Sequence, residues 1–307
     1  MHPWNQPILD SFEARIARLP HALLIHGPRG IGKLALAERL AQRLLCEAAG
    51  SVKRPCDKCD PCRWFAAGNH PDFRRVEPEI LWKEPPTEKD KKPSRVIKIE
   101  QIRELADVLH LTKHRGGRLV VLVHPADAMP EATASALLKD LEEPAPNVVF
   151  ILVSHKPEHL LATIRSRCVA VPVLVPPRDS ALSWMAGQGV KGAERWLAYA
   201  GGAPLRALQY AAEAETITRL LESPAPVDDR DKLEQLAEAL QKTALDKAFS
   251  AFGLPPRYQT GGKAGTAQNA HAWLAYARLM GRNRRLTEHP LSPKLFSAEM
   301  LAKRPKT

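Results

Sequence analysis

Apolar positions along the first 172 residues follow two alternating periods. Short, largely apolar runs at 21–26, 118–123 and 148–153 have the length of buried strands, and 72–76 and 168–171 extend the series. Between them the spacing changes to three and four. Leu34, Ala37, Leu40, Ala41, Leu44 and Leu45 mark a helix over 34–46, and Ile102, Leu105, Ala106 and Leu109 mark one over 97–111. Further helices are predicted at 131–141 and 160–165. Strands alternating with helices predict a parallel sheet covered on both faces. Residues 82–95 are charged and Pro-rich, a surface loop.

Beyond Pro172 the strand-like runs stop, and Pro176-Pro177 marks a boundary. Helices are predicted at 179–188, 194–200 and 204–221, with Gly201-Gly202-Ala203 turning the chain before the third. A linker at 222–229 precedes long helices at 232–252 and 268–286, which a Gly/Pro-rich loop at 253–267 separates. The expectation is α/β followed by all-α, in three parts: 1–172, 173–222 and 223–307.

With 307 residues the chain is long enough for two or three cores. Its N-terminus has no apolar segment of the signal-peptide kind, and the longest apolar runs are too short to span a bilayer, so a cytoplasmic protein is expected. A net charge of +11 favours acidic partners, nucleic acid first, although solvated tails and linkers such as 303–306 and 89–92 carry part of the excess.

Residues 27–34 read Gly-Pro-Arg-Gly-Ile-Gly-Lys-Leu, which fits the phosphate-loop pattern at every fixed position except the last. Gly27, Gly30 and Gly32 would let backbone amides close around phosphate oxygens, and Lys33 would reach the terminal phosphates. A strand before the loop and a helix after it supply the setting such a loop needs. Leu34 stands where a hydroxyl should ligate Mg²⁺ and offers no oxygen. The next strand, 118–123, should end in acids that organise that metal, yet His124 and Pro125 follow it. Two independent metal-handling positions are unsuitable, so ATP cleavage by this chain is not expected. Retention of Lys33 leaves binding of ATP or ADP open.

Four of the five cysteines, Cys46, Cys56, Cys59 and Cys62, fall close together. In a reducing compartment this spacing points to a structural Zn²⁺ site, with redox and iron–sulfur roles as the alternatives. Four thiolates would close a tetrahedral shell and leave no open coordination position. His70 is then not needed as a ligand, and Cys168 reads as a small buried residue.

Residues 136–144 read Ala-Leu-Leu-Lys-Asp-Leu-Glu-Glu-Pro, and 163–168 read Thr-Ile-Arg-Ser-Arg-Cys. With these motifs, the worn phosphate loop and the cysteine insertion at 46–62, the chain resembles the AAA+ clamp-loader family, and within it the delta-prime subunits of bacterial DNA polymerase III. The resemblance is specific through about residue 175 and architectural beyond it. It implies an AAA+ P-loop NTPase-like domain with a zinc module, a small helical lid and a C-terminal helical collar that joins subunits. Arg167 is then an arginine finger lent to a neighbour's ATP site, and Ser154 takes the sensor position. The implied partners are gamma/tau ATPase subunits and the delta subunit, with the sliding clamp and primer–template DNA reached through the assembly. Two rivals remain. An active P-loop ATPase or nucleotide kinase would turn over ATP alone, and a zinc-dependent DNA-binding module at 46–65 would bind duplex DNA by itself.

Overall fold

Among the described residues the chain forms five strands, the central ones rich in Val, Ile and Leu: β1 (Ala22–His26), β2 (Phe73–Val76), β3 (Leu119–Val123), β4 (Val148–Ser154) and β5 (Val169–Pro172). The computed structural model describes residues 1–13, 16–49, 54–82, 93–111, 117–261, 265–287 and 291–305. Expectations for Lys53, residues 83–92, the His110 side chain, His114 and Lys306 lie outside them. All strand pairs are parallel, in the order β2-β3-β4-β1-β5. Every residue of β3 and β4 is buried, as continuous apolar runs in a two-faced sheet require. The register sets His26 beside Ser154 and Pro172, and Val123 beside Leu152 and Val76. The C-terminal strand ends therefore share one edge, which is where ligands lie in open α/β sheets.

Among the described residues six helices accompany the sheet: α1 (Gln6–Glu13), α2 (Lys33–Leu45), α3 (Asp60–Ala67), α4 (Ile99–Leu111), α5 (Glu131–Glu142) and α6 (Ala162–Arg167). Ile102, Leu105 and Leu109 of α4, Leu137 and Leu141 of α5 and Ile164 of α6 share one core with Leu24, Val121 and Phe150. The α2 face Leu36, Ala37, Leu40 and Ala41 is fully buried. The parallel α/β expectation is met. The short helix expected at 160–165 lies two residues later, which makes Arg167 its last residue. Neither α1 nor α3 was expected.

Residues Met1–Val175 form one compact unit and Pro176–Thr307 a second. Among its described residues the regular elements of the second are helices: α7 (Arg178–Gly187), α8 (Ala193–Tyr199), α9 (Pro204–Ala212), α10 (Ala214–Glu222), α11 (Arg230–Ala251), α12 (Ala270–Leu286) and α13 (Pro293–Ala302). Asp229 caps α11 by accepting from the amides of Asp231 and Lys232. The single helix expected at 204–221 is two, because Glu213 leaves helical geometry at φ −103°, ψ 24°. That break lets α10 put Ile217 into a core with Met185, Trp196 and Tyr199, and Leu220 against another with Leu240, Trp273 and Met280.

A buried ionic cluster fastens these two helical cores together. Glu238 of α11 accepts from Arg206 Nη2 at 2.6 Å and the Tyr210 hydroxyl at 2.9 Å, both on α9. It also pairs with Lys242 at 3.0 Å and faces Arg284 of α12 at 3.7 Å. The Lys242 ammonium lies 3.9 Å from the Tyr199 ring centroid and 4.6 Å from that of Tyr210. Among the described residues no helix is long and apolar enough to cross a membrane.

Candidate functional site

The phosphate loop leaves β1 with all three glycines at positive φ: 147° at Gly27, 84° at Gly30 and 84° at Gly32. A Cβ on Gly27 would sit 2.1 Å from the Val173 carbonyl oxygen, and one on Gly32 would sit 2.4 Å from the His2 ring. Only glycine fits either place. Lys33 opens α2 and is 2% exposed. Its ammonium donates back to the Gly27 carbonyl at 2.6 Å and the Pro28 carbonyl at 2.5 Å. Burial pulls its pKa down to about 8, partly countered by the Asp127 carboxylate. The N-terminal segment bears on the same loop. Trp4 Nε1 donates to the Ile31 carbonyl at 2.9 Å, and Asn5 Nδ2 reaches the carbonyls of Ile31 and Gly32 at 3.2 and 3.1 Å.

Nothing at the metal-handling positions supplies a hard oxygen ligand. Leu34 is aliphatic, and β3 ends before His124 and Pro125. The His124 and His155 rings meet edge to face, with centroids 5.6 Å apart. Burial pushes His124 down to about 4 and His155 to about 3, with the Lys33 charge acting in the same sense on both, so each imidazole is neutral near pH 7. Asp127 is committed elsewhere: its Oδ1 accepts the His155 amide at 2.7 Å. Burial alone would raise its pKa, but hydrogen bonds from that amide and from the Ser154 hydroxyl hold it below the usual range. Ser154 is fully buried at the end of β4, and its Oγ accepts the Lys156 amide at 3.1 Å. The structure thus gathers Lys33, His124, Asp127, Ser154 and His155 at one edge of the sheet. His155 was not singled out from the sequence, although its place directly after Ser154 was the available signal.

Arg167 stands apart from that edge, at the C-terminus of α6. Its Nη2 pairs with Glu142 Oε1 at 2.5 Å and its Nη1 donates to the Thr163 carbonyl at 3.0 Å. The side chain is one third exposed, so the guanidinium is held yet reachable from solvent. Glu142 had no expected role; it is the last residue of α5.

The cysteine cluster fits a tetrahedral metal. Four sulfurs 2.3 Å from a zinc stand roughly 3.8 Å apart by geometry. Here all four Sγ atoms lie within 4.8 Å of one another, with Cys46–Cys59 at 3.9 Å and Cys56–Cys62 at 4.0 Å. None of the five cysteines is in a disulfide. Backbone amides already point at the sulfurs, Cys56 N–H to Cys46 at 3.4 Å and Cys59 N–H to Cys56 at 3.3 Å. The amides of Cys59 and Lys58 hold the Cys56 thiol down at about 6, and burial pushes Cys62 up to about 12. Cys46 follows α2 directly, Cys59 immediately precedes α3 and Cys62 lies in its first turn. Asp57, at φ 58°, receives Arg39 at 2.6 and 2.9 Å and Gln42 at 3.0 Å, which clips the loop to α2. His70 is outside the sulfur group; its Nδ1 accepts the Asp72 amide at 3.0 Å. Cys168 is buried, as expected.

Comparison with known proteins gives this arrangement a family. Residues 6–175 match the sequence model of "DNA polymerase III, delta subunit". Over 214 residues the chain is 41% identical to the DNA polymerase III subunit delta' of Pseudomonas aeruginosa, covering 67% of this chain and 60% of that protein. Over 189 residues it is 34% identical to the corresponding subunit of Haemophilus influenzae, covering 60% of this chain and 53% of the relative. The matched stretch thus takes in less than two thirds of these relatives' own lengths. Among solved structures, a DNA polymerase III gamma subunit-related protein from Thermotoga maritima aligns with TM-score 0.49 and 17% identity, covering 96% of this chain and 99% of that one.

Proposed function

The chain belongs to the DNA polymerase III delta subunit family, and on that premise we propose that it is a non-hydrolysing component of a clamp loader. In this reading it joins gamma/tau ATPase subunits and a delta subunit, lends Arg167 to the ATP site of a neighbour and helps place a sliding clamp on primed DNA. One observation supports the proposal: the positions that would handle Mg²⁺ lack ligands, while the arginine that would serve a neighbour stays reachable. Leu34, His124 and Pro125 offer nothing to Mg²⁺, and Lys33 is turned onto its own loop, whereas Arg167 ends a helix as a reachable guanidinium. Such a group beside a γ-phosphate stabilises charge that develops during phosphoryl transfer, an effect worth roughly 10³–10⁵ in rate in related systems. The Cys46, Cys56, Cys59 and Cys62 site would hold zinc as a structural clip between α2 and α3.

Reconstitution with the ATPase and delta subunits tests this reading. Arg167→Ala should leave the assembly intact by gel filtration while DNA-stimulated ATP hydrolysis falls at least tenfold. Unchanged turnover in an intact assembly would remove Arg167 from the neighbour's site. Magnesium-dependent phosphate release by the purified chain alone would favour the active-ATPase alternative.

A further inference from the structure

The exposed face of α12 carries a line of arginines that has no part in the proposed clamp-loader role. Over 270–286 this helix has His271, Arg278, Arg282, Arg284 and Arg285 and no acidic residue at all. Arg284 turns inward to Gln241 and Glu238. The other three arginines and His271 are exposed, and among the described residues Arg278, Arg282 and Arg285 have no ion-pair or hydrogen-bond partner. At about 100° per residue, positions 271, 278, 282 and 285 fall within a stripe roughly 60° wide, opposite the buried Trp273, Tyr276, Ala277 and Met280. Exposed Ala275 lies on the same side and keeps the stripe low. With a rise of about 1.5 Å per residue, Arg278, Arg282 and Arg285 stand roughly 6 and 4.5 Å apart along the axis. Long side chains can spread these spacings to match successive phosphates of a nucleic-acid strand.

Like charges this close repel, and an intrahelical acid at i+4 is the usual remedy. Residues 270–286 offer no such acid, and a bound external anion would relieve the repulsion. We propose that this face of α12 binds the phosphate backbone of DNA. The recognition is of charge and spacing, not of sequence: the three arginines reach phosphates, and the His271 ring at the far end of the stripe is engaged edge to face with Phe252 at 5.5 Å. The net charge of +11 supplies the long-range attraction for the encounter. This inference does not depend on Arg167 or on ATP.

The test uses the full chain alone with a fluorescein-labelled DNA duplex, followed by anisotropy across a salt series. Combined Arg278→Gln, Arg282→Gln and Arg285→Gln should weaken binding at least tenfold and lower the salt slope by about 2 to 3, since each duplex phosphate contact contributes about 0.9. The triple lysine variant should keep most of the binding, and Arg219→Gln, an exposed arginine on α10, should change nothing. Equal melting temperatures would verify that the exposed substitutions leave the fold intact. Parent-like DNA binding by the triple glutamine variant overturns the proposal. It is overturned equally if that variant binds DNA normally but no longer co-elutes with the ATPase subunits, which would make the stripe a protein-contact face.

Discussion

Arg167 and Glu142 form an ion pair of 2.5 Å that joins the end of α5 to the end of α6. The two side chains are 33% and 46% exposed, so the pair contributes no more than about 1 kcal/mol to stability. Its interest lies in competition. A guanidinium that engages a neighbour's phosphate must first leave this carboxylate. Glu142→Gln should therefore leave the melting temperature within about 2 °C of the parent and raise DNA-stimulated hydrolysis of the reconstituted assembly, by at most about fivefold for that energy. A collapse like the one expected for Arg167→Ala would mean that Glu142 holds the arginine in its working position.

Zinc removal should act on the first unit. A zinc held by the four thiolates would tie the end of α2 to the start of α3, so its loss would free both helix ends at once. The protein purified under reducing conditions should contain one zinc per chain by absorption spectroscopy, and Cys59→Ser should contain markedly less. A strong chelator should lower the melting temperature of the parent and leave Cys59→Ser unmoved. Full metal content in Cys59→Ser would remove that residue from the shell.

The Glu238 cluster makes the sharpest stability prediction in the second unit. Burial raises the cost of this carboxylate, but Arg206, Lys242 and Arg284 outweigh it and bring its pKa down to about 2. A depressed acid contributes stability that is full above its unfolded value near 4.5 and disappears as pH falls towards 2. Lys242 behaves in the opposite sense. Burial lowers it to about 8 despite Glu238, because that single carboxylate is shared with two guanidinium groups. The unfolded chain therefore binds more protons at Lys242 between about 8 and 10.5, and its contribution to stability rises with pH across that window. Glu238→Ala, which strands buried cations, should cost about 3–5 kcal/mol in urea unfolding near pH 7. Its deficit relative to the parent should shrink as pH falls from about 4.5. A loss below about 1 kcal/mol would mean that water, not Glu238, solvates Arg206 and Lys242.

Much of the first unit was legible because its signals are local. The strand–loop–helix around Lys33, the apolar runs of β3 and β4, and the Cys56-Asp-Lys-Cys59 spacing each carry their chemistry within a few residues. Helix α3 was legible in principle: Asp60-Pro61 supplies a helix start and Gly68, at φ 79°, the left-handed stop. The metal-ligand spacing of Cys56, Cys59 and Cys62 overlaps those signals in the same stretch of sequence. The split at Glu213 carries no Gly or Pro to announce it, and tertiary packing on two cores decides it. Arg206, Tyr210, Glu238, Lys242 and Arg284 belong to three helices, so no sequence period could bring them together. The same holds for Glu142 beside Arg167, which requires knowing that α5 and α6 end side by side.

Restoring the missing oxygens should separate metal binding from hydrolysis. Leu34→Thr alone returns one hydroxyl to a site where His124 and Pro125 still offer no carboxylate, so the isolated chain should show no magnesium-dependent ATP turnover. Leu34→Thr combined with His124→Asp and Pro125→Glu would place two new carboxylates near Asp127, replacing a neutral imidazole with negative charge. Without a cation those like charges repel in a partly buried setting, and the triple variant should melt below the parent. Mg²⁺ with ATP relieves that repulsion and draws Lys33 from the carbonyls of Gly27 and Pro28. Magnesium ATP should then raise the melting temperature of the triple variant by several degrees while the parent shifts much less. Equal magnesium responses in the two proteins would show that the parent already possesses a metal site, and the non-hydrolysing reading would lose its physical basis.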